Sequence, residues 1–171
     1  GQIGDCWLLS GILSLNTSEI GREIIKQSII PNSDGSVTVK FLGAGKEYKI
    51  KSDEIKRNDP DINPKSKYSS GDNDMLVLEL AMEKLRRETS GKDLNGGYEK
   101  EILDALIPKR NGNTIIYSGD DLTPQKIDRI LTNAQKNKNA SISFGVKTVR
   151  RMINPKTGKY YYKDTGTAHG L

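Results

Sequence analysis

The chain has 171 residues, with 27 lysines and arginines against 22 aspartates and glutamates, a net charge of +5. That length buries a core as one domain or as two small lobes, and a single cysteine excludes an internal disulfide framework and a cysteine-rich metal site. No apolar run approaches the ~18 residues of a membrane-spanning helix, and the apolar opening has the form of a motif helix, not of a signal peptide with a basic leader.

In chain order, the first sixteen residues, GQIGDCWLLSGILSLN, hold the only cysteine, the only tryptophan and the longest apolar run. A tight Gly4-Asp5 turn is expected to lead into a buried helix with Cys6 in its first turn and Asp5 as its N-cap. Trp7, Leu8, Leu9, Ile12, Leu13 and Leu15 fall on more than one side of a 3.6-residue helix, the pattern of an element covered all round. Cys6, Ser10 and Ser14 form one narrow stripe with Gly11 beside it, where another part of the chain or a substrate can come close.

Ser18 to Ser28 reads as a second helix with Ile20, Ile24 and Ile25 on its inner face. Asn32 to Gly35 is a turn. Val37, Val39 and Phe41, then Tyr48 and Ile50, alternate with polar residues around Gly43-Ala44-Gly45, which predicts a β-hairpin. Asp53 to Asn73 is almost devoid of apolar residues and holds two prolines, so a long exposed loop is expected. Asp74 to Thr89 is a strong helix, Gly91 ends it, Gly96-Gly97 gives a corner, and Tyr98 to Ile107 is a short helix.

Charge changes character at Pro108-Lys109-Arg110-Asn111-Gly112-Asn113. Residues 1–108 carry 15 basic against 18 acidic residues, a net of −3, and residues 109–171 carry 12 against 4, a net of +8. This turn-rich stretch is the expected boundary between two lobes. Beyond it, Thr123 caps a helix with Pro124 at its first position, Ser141 to Val149 alternates as a strand, and Asn154 to Gly158 turns it into the aromatic strand Tyr160-Tyr161-Tyr162.

A thiol in the first turn of a helix feels the positive end of the macrodipole and unpaired backbone N–H groups, which favour the thiolate. The same N–H groups can donate to an oxyanion on a carbonyl that the sulfur attacks. A lone cysteine before Trp-Leu-Leu is equally at home as a small core side chain, and the residue chemistry leaves both readings open.

Gly4-Asp5-Cys6-Trp7-Leu8-Leu9 resembles the nucleophile motif of the calpain family of papain-like cysteine proteases, usually Q-G-x-x-G-D-C-W-L-L. The resemblance implies an α+β papain-like fold, with residues 1–108 as a helical thiol lobe and residues 109–171 as the start of a strand-rich imidazole lobe, truncated at both ends. It implies a cysteine endopeptidase acting on protein or peptide substrates, with Cys6 as nucleophile and an acyl-enzyme intermediate. No cofactor is required for the chemistry, calcium is an expected activator, and flanking domains of the same polypeptide are expected partners. The family glutamine of the oxyanion hole would fall just ahead of Gly1, so Gln2 does not inherit that role. The segment from Asp74 resembles the family's A-L-L-E-K-A-Y-A-K, with Glu79, Ala81 and Lys84 in matching places and the preceding tryptophan absent.

His169 is the only histidine and stands about where the resemblance expects the catalytic base. Two alignments stay open. In one, His169-Gly170-Leu171 is the catalytic histidine entering its strand; in the other, Gly170-Leu171 matches the G-L that precedes G-H-A-Y, and the base lies beyond Leu171. The family asparagine follows the histidine, so Asn154-Pro155, which precedes it, is not assigned. Asp72 and Asp74 sit near where the resemblance places a calcium-binding carboxylate, or else are helix N-terminal acids favoured by the dipole. Asp59-Pro60-Asp61-Ile62-Asn63 opens like an EF-hand loop but has Pro64 at the glycine position. The incomplete triad keeps a catalytically inactive interaction module as the alternative. Basic residues around the second-part tyrosines raise nucleic-acid binding, but the acidic first part is a nearer partner, so no nucleic acid is expected. A cytoplasmic setting is expected.

Overall fold

The computed structural model describes residues 3–109, 115, 117, 122–137, 140, 142–143 and 145–170, with the backbone alone described at 145–149, 162 and 164–170. Over these residues the chain is α+β, six helices with two small antiparallel sheets. None of these helices is long and apolar enough to cross a membrane.

Helix α1 (Cys6–Asn16) is covered on most sides, with Trp7, Leu8, Ile12 and Leu15 in the core and only Leu13 of its large apolar residues exposed. It packs against α2 (Glu19–Ser28) and α5 (Glu99–Leu106). The small-residue stripe does admit a close neighbour. A Cβ on Gly11 would stand 2.5 Å from Ile102 Cγ2 and 3.4 Å from the Glu99 carbonyl oxygen. Gly11→Ala is therefore expected to cost about 1–3 kcal/mol of stability by overpacking. The measurement is the urea midpoint, and an unchanged midpoint would show that α5 yields freely.

The Ser18 hydroxyl accepts the Gly21 N–H at 3.0 Å and starts α2, which runs directly into β1 (Ile29–Pro31), a strand that the sequence pattern does not signal. Three residues ending in proline are too short for alternation to show. β2 (Val37–Phe41) and β3 (Lys46–Ile50) form the expected hairpin, and β1 adds to its free edge in the order β1-β2-β3. The register sets Val39 opposite both Ile29 and Tyr48. Val39, Phe41 and Ile50 are fully buried, facing α4 (Asn73–Ser90), whose Leu76, Val77, Leu78, Leu80, Ala81 and Met82 are buried in turn.

The long exposed loop expected over 53–73 is corrected by the structure. It opens with α3 (Ser52–Asn58), continues in turns closed by Asn63 N–H to Asp59 O at 2.7 Å, and ends with Tyr68 buried. One aromatic side chain anchors a stretch whose composition is otherwise polar. The Tyr68 hydroxyl donates to Glu83 Oε2 at 2.5 Å, Lys67 Nζ reaches the same carboxylate at 2.9 and 3.0 Å, and Arg87 Nε donates at 3.0 Å. Burial pushes the Glu83 carboxyl up, but these three donors outweigh it and hold it below the usual glutamate range. A depressed carboxyl contributes stability that is present above its unfolded value and lost as pH falls through the folded one. Wild type should therefore lose stability on acidification, and Glu83→Gln should flatten that acid limb. Urea midpoints between pH 3 and 7 check it; an equally steep limb in the variant would exclude Glu83 as its source.

In the second part, the Thr123 hydroxyl accepts the Lys126 N–H at 3.2 Å and Pro124 opens α6 (Pro124–Lys136), as expected. Arg110 to Asn113, the centre of the expected boundary, lie outside the described residues. β4 (Gly145–Ile153) and β5 (Tyr160–Gly170) pair antiparallel from Ile153 opposite Tyr160 to Gly145 opposite Gly170. Asn154 Oδ1 accepts the Lys156 N–H at 2.9 Å and Gly158, at φ +67°, closes the turn. The expected strand at Tyr160 to Tyr162 is thus only the beginning of a longer one.

Candidate active site

Cys6 is the first residue of α1 and is half-buried. The turn before it is fixed from outside. The Gly4 N–H donates to Asn95 Oδ1 at 2.9 Å, and the Gly96 N–H returns a bond to Gly4 O at 2.9 Å. On the other side of Cys6, Trp7 Nε1 donates to Leu94 O at 3.1 Å, and its ring packs on Gly97, where a Cβ would lie 2.6 Å from Cε2. The buried Arg86 guanidinium sits 4.9 Å from the same ring and 3.2 Å from Glu101 Oε2. Neighbours on both sides of the cysteine are therefore held by residues 94–97.

Asp5 occupies the N-cap position, as its type predicts, but its carboxylate makes no capping bond. It turns inward instead, 4% exposed, to meet Glu79 of α4, which is fully buried. Asp5 O accepts the N–H groups of Leu8 and Leu9 at 2.8 and 3.2 Å, so the helix starts on backbone bonds alone. Burial and the Asp5 carboxyl beside it push Glu79 up to about 9, and the Ser69 hydroxyl together with the Ser69 N–H, which donates to Glu79 Oε1 at 3.4 Å, only partly offsets this. The resemblance of the segment from Asp74 to the calpain pattern names Glu79 but implies no role for it. A charged residue inside the apolar run from Leu76 to Met82 is the signal that marks it.

Further along the stripe, Ser10 Oγ and Ser143 Oγ lie 2.7 Å apart. Ser10 stands one turn below Cys6, and Ser143 is just ahead of Gly145, where β4 begins. β5 packs against α1, and the register sets His169 opposite Val146, at the end of the hairpin that Ser143 ties to α1. The backbone thus brings the strand carrying the only histidine to the helix that opens with the only cysteine.

The other site candidates fall elsewhere. Asp72 caps α4, with Oδ1 accepting the Asp74 N–H at 3.2 Å, and both aspartates are exposed. Calcium takes roughly six to eight oxygens, and here one of the two carboxylates is occupied as a cap. Among the described residues no three of His, Cys, Asp and Glu gather as metal ligands. Asn154 is occupied by its own turn, and Gln2 lies outside the described residues. A hollow of about 740 Å³ between α4, α5 and the Gly43-Ala44 turn does not include Cys6. Comparison of the chain with family models, with curated proteins and with solved structures returns no match.

Proposed function

We propose that the chain carries the catalytic core of a calpain-like cysteine endopeptidase, with Cys6 as nucleophile and His169 as its base. The observation that supports this most is the packing of α1, with Cys6 at its first position, against β5, the strand that contains His169. The sulfur attacks a peptide carbonyl, His169 takes the thiol proton and passes it to the leaving amine, and an acyl-enzyme remains. Water, activated by the same imidazole, releases the acyl group and regenerates the thiol. Backbone N–H groups at the start of α1 would supply donors to the developing oxyanion. None of these steps calls on calcium.

The test is covalent trapping with a peptidyl epoxide, followed by peptide mapping. An adduct on Cys6 of the native protein, absent when the protein is denatured before the epoxide is added, supports the reading, because it requires a bound peptide and an activated thiol together. Absence of an adduct in the folded protein would overturn it in favour of a catalytically inactive interaction module.

A further inference from the structure

Two buried carboxyl groups meet directly before the nucleophile, and among the described residues no cation is paired with them. Asp5 is 4% exposed and Glu79 fully buried, and Asp5 Oδ2 and Glu79 Oε2 have no hydrogen-bond partner among the described residues. The surrounding charges are engaged elsewhere. On α4, one turn beyond Glu79, Glu83 takes Lys67 and Arg87, and Tyr68 donates to it as well. Arg86 pairs with Glu101 of α5, and Lys84 with Glu54 of α3. From the loop before α4, Glu79 receives the Ser69 hydroxyl and, at 3.4 Å, the Ser69 N–H, both neutral donors. On α1 the next titratable side chain is Cys6 itself.

Two ionised carboxylates in water-excluded contact are strongly unfavourable, and one proton between them removes the repulsion and supplies a bond. We infer that a single proton bridges Glu79 and Asp5, and that this bridge latches the start of α1 onto α4, making Glu79 a positioning residue for Cys6. The link to catalysis rests on the nucleophile reading; the latch itself does not. Glu79 donates, Asp5 accepts, and because Asp5 adjoins Cys6, whatever fixes Asp5 fixes where the thiol points. The unfolded chain holds no such proton at neutral pH. Folding therefore takes one up, and stability contributed here is greatest below the ordinary glutamate range and declines as pH rises toward the folded value.

The experiment uses the whole chain and the fluorescence of Trp7, its only tryptophan, next but one to Asp5. Wild type is expected to show a reversible change in Trp7 emission between pH 7 and 10. Glu79→Gln, whose amide donates without titrating, and Asp5→Asn, which removes the like charge, should both abolish it. Epoxide labelling of Cys6 should follow the same pattern, falling at least tenfold from pH 7 to pH 10 in wild type but not in Glu79→Gln. A change of equal midpoint in both variants, or none in wild type, overturns the latch. So does suppression of the wild-type change by millimolar calcium, which would put a cation between the carboxylates. If the emission change depends on Glu79 while no form of the protein takes the epoxide, the latch stands and the protease reading falls.

Discussion

Replacing His169 by alanine is expected to lower the rate of peptide hydrolysis by about 10²–10⁴-fold, the usual contribution of a positioned acid–base group. On the proposed function the loss falls on two steps, because one imidazole deprotonates the thiol and later serves the water. Cys6→Ala removes the acyl acceptor itself and should leave no covalent trapping at all. Chemical rescue gives a sharper check. Free imidazole at tens of millimolar should restore part of the activity of the alanine variant while leaving Cys6→Ala untouched. Should His169→Ala turn over peptide at the wild-type rate, the base would be another group, as in the alignment that places it beyond Leu171.

The second large effect is on stability and comes from Trp7→Ala. The ring is 2% exposed, its N–H bonds the Leu94 carbonyl, and its face lies under Arg86. Truncation of a buried aromatic residue costs about 3–5 kcal/mol. Here it also leaves the Leu94 carbonyl and one side of a buried guanidinium without a partner. Chemical denaturation of the variant should show a midpoint lowered accordingly. Trp7→Phe, which keeps most of the packing and loses the N–H, should recover more than half of the loss. Equal losses in both variants would assign the stabilisation to the single hydrogen bond.

Much of the first part was legible because its periodicities are clean. The apolar run of α1, the alternation of Val37 to Phe41 and the Gly91 stop, which adopts φ +68°, all reach the structure nearly unchanged. What was not legible depends on partners distant in sequence. α3 has few apolar residues, and its segment is held by Tyr68 reaching α4. β5 runs on past Tyr162 through Asp164, a poor strand former, because pairing with β4, where Asp164 stands opposite Val149, overrides local preference. In the candidate site, the Cys6 motif is local and was found. The Asp5 and Glu79 pair joins two elements, and sequence shows only half of it, a glutamate where a leucine would fit.

The contact of α1 with β5 joins the first described helix to the last described strand. The sequence separation between them is long, which adds to the loop-closure cost of this contact and slows its formation. During synthesis, α1 can bury its apolar faces against α2 and α5 while β5 is still unmade. On the proposed function, order of assembly then acts as a timer: the thiol is in place early, and its base arrives only after the rest of the described chain has left the ribosome.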